Sequence, residues 1–271
     1  MTTPAGYVRR TDGGDLALVR SDLAAVPLAE FWQDGVPLDG ALGRGGVRIA
    51  RIAGLDVALR DYKRGGALRR LLPDLFLSEQ RAFGELAVTA ALRARGVAVV
   101  ESVAALARRR GPFRSLRLAT LLVRDALPLP SFVAARTDLR REALRRAGAV
   151  VAQAFSAGLD HRDLHPANLI ARAASGGAVE VVLLDLDRAE LVDALSLARR
   201  DAMLVRMARW LRRHQRELGV TVRARDFTEF LRGMGMERTA RRVAWERMAR
   251  KLRWSLAWRG MGVAQCATSC G

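Results

Sequence analysis

Short apolar runs fill the first half of the chain, and helical spacing takes over in the second. Val47 to Ile52 and Leu55 to Arg60 read as two β-strands, with Ala53-Gly54 as the turn between them. A helix follows. Ser78 can cap it, Arg81, Phe83, Leu86, Ala87 and Ala90 lie in its body, and Gly96 ends it. Val97 to Leu106 and Leu116 to Val123 read as further strands, turned by Arg109-Arg110-Gly111-Pro112. Residues 1 to about 35 are weakly patterned. Asp125 to Pro130 carries two prolines and reads as a linker.

Beyond the linker the period changes. Asp138 to Gly158 is helical, with Leu144, Ala147, Val151 and Phe155 along one face. Two short strands follow, around Leu169-Ile170 and over Val181 to Leu184, with Ser175-Gly176-Gly177 turning between them. The remainder is helical over roughly 196–217, 226–233 and 237–259. The pattern predicts an α+β chain in two parts: a strand-rich 1–124 with one inserted helix, and a mostly helical 125–271. No internal repeat or low-complexity segment is evident.

Composition changes this picture little. The chain has 271 residues, half of them hydrophobic, enough for one two-lobed domain or two small ones. No apolar stretch reaches the length of a membrane span, and the N-terminal residues carry no secretory pattern. Cys266 and Cys270 are the only cysteines, which excludes a disulfide framework; the expectation is a disordered tail and a cytoplasmic protein. The net charge of +18 favours acidic partners such as phosphates or anionic lipid surfaces. Only Lys63 and Lys251 are lysines. That arginine skew, with abundant Ala, Gly, Val and Leu, is what a GC-rich genome gives, so the charge is weak support for nucleic-acid binding.

Candidate chemistry concentrates in His161 to Asn168, HRDLHPAN. Phosphoryl transfer needs a carboxylate to orient the attacking hydroxyl, and oxygen ligands for Mg²⁺ on the nucleotide phosphates. The loop H-R-D-L-x-x-x-N supplies both. Asp163 takes the catalytic position and Asn168, five residues on, a metal position. The second metal carboxylate belongs at the end of a buried strand, and Asp185 follows Val181 to Leu184. The sequence then departs from D-F-G: Leu186 and Asp187 make DLD. Asp187 reads either as a turn residue or as a metal contact. Upstream, Val57-Ala58-Leu59-Arg60 matches V-A-I-K with Arg60 as the fixed cation, and Glu85 is its best ion-pair partner. Lys63 falls on the opposite strand face if the strand continues. Gly43, Arg44, Gly45 and Gly46 lie just ahead of the first strand, where backbone N–H groups can cover nucleotide phosphates.

These segments, GRGG, VALRDYKRGG, RAFGEL, HRDLHPANL and LLDLDRAEL, resemble the lipopolysaccharide core kinases, most of all those acting on 3-deoxy-D-manno-octulosonic acid (Kdo). The family pairs an Arg-bearing strand, a following tyrosine and an RGG loop with D-x-D, here Arg60, Tyr62, Arg64-Gly65-Gly66, Asp185 and Asp187. The likeness spans about residues 31 to 215. It implies a bilobal protein-kinase-like fold, and ATP and Mg²⁺ as cofactors. It also implies transfer to a lipid A-linked core sugar, the 4-hydroxyl in the Kdo case, at the cytoplasmic face of the inner membrane. No obligate protein partner is evident. The stretch after about residue 217 matches nothing in the family, which leaves other core sugars open. An aminoglycoside-type phosphotransferase, a protein kinase and a catalytically weak module binding anionic glycolipid or nucleic acid remain as alternatives.

On a helical wheel centred on Trp245, Met248, Ala249, Leu252 and Leu256 form a core stripe. Trp254 and Trp258 fall opposite, with Arg247, Arg250 and Lys251. That outer face suits either an anionic membrane surface or another helix.

Overall fold

The computed structural model describes residues 2–38, 46–63 and 74–267, with side chains as far as residue 252. The chain forms two compact units. One comprises Met1–Ala126 with Val182–Leu191, and the other Leu127–Val181 with Val192–Gly271.

The first unit is built on β1 (Tyr7–Asp12), β2 (Asp15–Arg20), β3 (Val36–Pro37), β4 (Val47–Ile52) and β5 (Leu55–Asp61). Helix α1 (Gln80–Ala94) comes next, then β6 (Ser102–Arg110) and β7 (Phe113–Leu121). The strands make one antiparallel sheet in the order β1-β2-β6-β7-β5-β4-β3. The β4–β5 hairpin pairs Ile52 with Leu55. Ala53 and Gly54 both take positive φ, +47° and +81°, as a two-residue primed turn requires.

Alternation sends neighbouring side chains to opposite faces of the sheet. Ala17 and Val19 join Ile52, Val57 and Leu59 in one cluster, capped by Leu23, Leu28 and Phe31 from two 3₁₀ turns. Leu18, Leu116 and Leu118 join the other, beneath Ala82, Phe83 and Leu86 of α1. The weakly patterned N-terminus is thus a hairpin, β1–β2, plus a cover for one sheet face. Helix α1 starts from Glu79, with no side-chain cap, rather than from Ser78.

The second unit contains β8 (Leu127–Pro128), α2 (Leu129–Ala135), α3 (Arg140–Ser156), β9 (Leu159–Asp160) and β10 (Leu169–Ala173). Strand β11 (Val179–Leu183) completes a three-stranded sheet, β11-β10-β8. Strand β12 (Glu190–Leu191) belongs to the first unit, and α4 (Leu197–His214), α5 (Ala224–Gly233) and α6 (Arg238–Ala267) follow in the second. The expected proline linker is instead β8 and the start of α2; Pro130 fits a helix's first turn because it lacks the N–H that would be unpaired there.

Helices α3 and α5 cross at two glycines. A Cβ on Gly148 would stand 2.0 Å from the Phe230 carbonyl oxygen, and one on Gly233 1.9 Å from that of Arg145. Only glycine allows that approach.

The buried stripe of α6 is turned by one residue from the wheel's expectation. Ala244 and Met248 are buried, whereas Trp245 is 46% exposed and sets its ring edge-on to Phe227. Arg247 and Lys251 both reach the carboxylate of buried Asp201 on α4, at 2.5 and 3.2 Å, although Lys251 stays exposed. A buried carboxylate needs such partners, and it rotates the helix toward them. The side chains of Trp254, Trp258 and Cys266, and all of Cys270, lie outside the described residues, and the expected outer tryptophan face lies there with them.

Candidate functional site

Arg60 sits next to the end of β5 and Glu85 on the buried face of α1. Glu85 is 3% exposed. Its two oxygens each lie 2.6 Å from Arg60 Nη2. Tyr62 donates its hydroxyl to Oε2 at 2.5 Å, and the Leu186 N–H donates to Oε1 at 3.2 Å. Burial pushes the Glu85 carboxyl up, and Arg60 pulls it back only in part. Burial works against the Arg60 charge, but Glu85 first, together with Tyr62, Asp185 and Asp187, outweighs it and holds the guanidinium firmly protonated. The Tyr62 phenol rises well above its usual value, through burial first and the Glu85 charge second. This is a buried ion pair with its lone pairs satisfied, the condition under which such a pair is tolerated.

Arg60 also reaches Asp185, Nη1 to Oδ1 at 3.1 Å. The Asp185 side chain is about half exposed, at 47%. Asp185 and Arg188 both have positive φ, +52° and +58°. Each such L-residue costs about 1–2 kcal/mol, so the turn must be held by what surrounds it. Lys63 lies past the strand end and is exposed.

Asp187 is engaged elsewhere. Arg81 grips it with a fork, Nε to Oδ1 at 2.8 Å and Nη2 to Oδ2. Burial raises the Asp187 carboxyl, but the Arg81 hydrogen bonds and charge win and hold it below the ordinary carboxylate range. Of the glycine-rich segment, Gly43, Arg44 and Gly45 lie outside the described residues, as do Arg64, Gly65 and Gly66. Gly46 is exposed with φ +55°.

The HRDLHPAN loop belongs to the second unit. His161 is buried at 1% exposure. Its backbone N–H meets Met203 Sδ at 3.3 Å, and its carbonyl accepts from Arg206 Nη1 at 3.2 Å, both from α4. His161 Nδ1 accepts from the Asp163 N–H at 3.3 Å, which fixes the backbone of the predicted catalytic residue while its carboxylate stays exposed. Pro166–Asn168 forms a 3₁₀ turn. Asn168, 4% exposed, accepts from the His165 N–H at 3.1 Å. The His165 ring stacks on Trp210 at 4.8 Å, and Trp210 on His214 at 4.3 Å.

Sequence reasoning passed over Arg81, Met203, Arg206 and Trp210. For Arg81 a signal existed: it lies four residues before Glu85, on one helix face. For the α4 residues, nothing in spacing says which part of the loop they meet.

Comparison with known proteins bears on this arrangement. Residues 29–234 match the model of the Lipopolysaccharide kinase (Kdo/WaaP) family. The chain belongs to that family. Among relatives of the Kdo/WaaP family, the 3-deoxy-D-manno-octulosonic acid kinase of Vibrio vulnificus (strain YJ016) is 30% identical over 146 residues, 52% of this chain and 61% of that protein. The protein of the same name from Vibrio cholerae serotype O1 is 29% identical over 161 residues, 58% of this chain and 68% of the relative. The match thus spans about three fifths of the first relative's length. A solved structure described as WaaP in complex with acyl carrier protein superposes with a TM-score of 0.55 at 18% identity, over 83% of this chain and 90% of the other. That likeness establishes the protein-kinase-like fold. No helix among the described residues is long and apolar enough to cross a membrane.

Proposed function

We propose that this Kdo/WaaP family member transfers the γ-phosphate of ATP to a hydroxyl of the lipopolysaccharide inner core, the 4-hydroxyl of Kdo–lipid A. The observation that carries the reading is the buried Glu85 that holds Arg60 next to Asp185. An arginine fixed on a buried carboxylate is a permanent cation suited to nucleotide phosphates.

The residues fit the nucleotide and a divalent metal. No group of three or more His, Cys, Asp or Glu disposed to hold a metal occurs among the described residues. Mg²⁺ does not need one, because it takes one or two protein oxygens and completes its shell with phosphate oxygens and water. Asp185 and Asn168 are the proposed metal-holding residues, and Mg²⁺ would supply charge neutralisation on the phosphates. Asp163 orients the acceptor hydroxyl and accepts its proton. Arg60, held by Glu85, neutralises phosphate charge. The segment Gly43 to Gly46 covers the phosphates with backbone N–H groups. The acceptor is an anionic glycolipid, and the net charge of +18 favours peripheral binding to an anionic inner-membrane surface.

Transfer from labelled ATP to Kdo–lipid A tests the reading, with free Kdo, heptosylated core and aminoglycosides alongside. Kdo–lipid A is expected to be labelled. Asp163→Asn should lower transfer by about 10²–10⁴-fold with nucleotide binding nearly intact. Labelling of an aminoglycoside alone, or full activity in Asp163→Asn, overturns it.

A further inference from the structure

Helix α1 carries two pins on one face. Arg81 and Glu85 are four residues apart, one helical turn, and both meet the turn Asp185–Arg188. Glu85 accepts the N–H of Leu186, whose side chain is buried at 2% exposure. Arg81 takes both oxygens of Asp187. The turn has a left-handed L-residue at each end, Asp185 and Arg188, and the two pins lie between them. Arg81 is itself fixed on three sides. Nη1 donates to the Lys63 carbonyl at 3.3 Å, and its guanidinium lies 5.2 Å from the Tyr62 ring centre and 5.4 Å from that of Phe76. The Tyr62 ring also carries Arg60, at 4.7 Å, while its hydroxyl is bound to Glu85. One aromatic ring therefore meets both arginines and the buried glutamate.

The two aspartates of DLD are sorted by these contacts. Asp185 is about half exposed, whereas Asp187 is only 18% exposed and is held by a two-point arginine fork. The fork takes one lone pair on each oxygen and fixes the carboxylate's direction toward Arg81, which leaves it less able than Asp185 to turn toward a metal.

We propose that Arg81 and Tyr62 are positioning residues that pin the Asp185–Arg188 turn to α1, with Asp187 as the anchor of that turn and not a metal ligand. The effect on turnover rests on the phosphotransfer reading above; the pinning does not. Arginine suits the task because its planar fork fixes direction as well as distance. Lysine can supply the charge without the second bond.

The test uses the full chain with Arg81→Met, Asp187→Asn and both together. Each single change is expected to lower kcat about 10–100-fold, because a small misplacement near the reacting groups is costly. The double variant should fall no lower than the worse single, within about threefold, since both remove one interaction. KM for Mg-ATP, and Mn²⁺ binding measured with a non-hydrolysable ATP analogue, should shift by less than about threefold. Hydrogen exchange at the Leu186 amide should accelerate in both singles. Arg81→Lys should recover part of kcat, and Tyr62→Phe should retain more than Tyr62→Leu. The proposal is overturned if Asp187→Asn weakens Mn²⁺ binding more than about tenfold while Arg81→Met does not. Multiplying losses, or unchanged Leu186 exchange, also overturn it. Should the wild type transfer phosphate to no acceptor, the kinase reading fails, and Leu186 exchange alone decides the pinning.

Discussion

The two halves of the candidate machinery are held by different physics. Around Arg60, position is set by charge: Glu85 is buried among Arg60, the Tyr62 hydroxyl and the Leu186 N–H, and Asp187 is held by Arg81. Around His161, position is set by backbone hydrogen bonds and by packing: a sulfur contact from Met203, a carbonyl bond from Arg206 and the His165–Trp210–His214 stack. A charge network in a low-dielectric interior fails sharply when one member is removed, because a partner is left buried and unpaired. A packed aromatic stack loses its worth in increments.

The largest effect is expected at Glu85. Glu85→Ala leaves Arg60, the Tyr62 hydroxyl and the Leu186 N–H without their shared acceptor. Denaturant unfolding should show a loss of about 3–5 kcal/mol, with phosphate transfer falling alongside it. Glu85→Gln keeps an acceptor and should lose less. If Glu85→Ala unfolds at the wild-type denaturant midpoint, the first half is not governed by charge and the contrast collapses.

A smaller effect is expected in the second half. Trp210→Ala removes two ring stacks worth about 1–3 kcal/mol together. Trp210→Phe, which keeps a ring between the two imidazoles, should recover most of that loss. The contrast sharpens if kcat follows the same order. It breaks if Trp210→Phe is as damaging as Trp210→Ala, since packing would then not be what holds the loop.

Legibility in the sequence divides along a similar line. The β4–β5 hairpin, α1, α3 and the HRDLHPAN loop could be read because each announces itself within a few residues: alternation, a Gly turn, an apolar stripe, a motif. The protein-kinase-like fold and the family followed from those segments. The β1–β2 hairpin was not read, since its outer strand carries Arg9, Arg10 and Asp12 and its apolar side declares itself only once β6 pairs with β2. Helix α2 was hidden because prolines at 128 and 130 look like a linker unless one knows that a helix starts there. The orientation of α6 depends on Asp201, 46 residues before Arg247 in the chain, and no wheel drawn on α6 alone contains that information. Asp187 was ambiguous for the same reason: its partner, Arg81, lies 106 residues away.

The smallest expected effect concerns Asp226, and it asks whether charge contributes to stability where α3 meets α5. Asp226 accepts a fork from Arg140 of α3, Nε to Oδ1 at 2.9 Å and Nη2 to Oδ2 at 2.6 Å, and also the N–H of Arg223 at the start of α5 at 2.7 Å. Burial raises its carboxyl, but the Arg140 hydrogen bonds, the Arg223 N–H and the charges of both arginines together outweigh burial and leave it below the ordinary value. A carboxyl depressed in the folded state binds its proton less readily there than in the unfolded chain. Its contribution is therefore present above the unfolded value of about 3.9 and is lost as pH falls through the lower folded value. Solvent screening near the helix ends limits it to about 1 kcal/mol. Asp226→Asn should be less stable than the wild type by that amount at pH 7, and the two unfolding curves should converge below about pH 4. A gap that stays constant down to pH 3 would mean that Asp226 acts through shape and helix capping rather than charge, and the division between a charged half and a packed half would then extend to this pair as well.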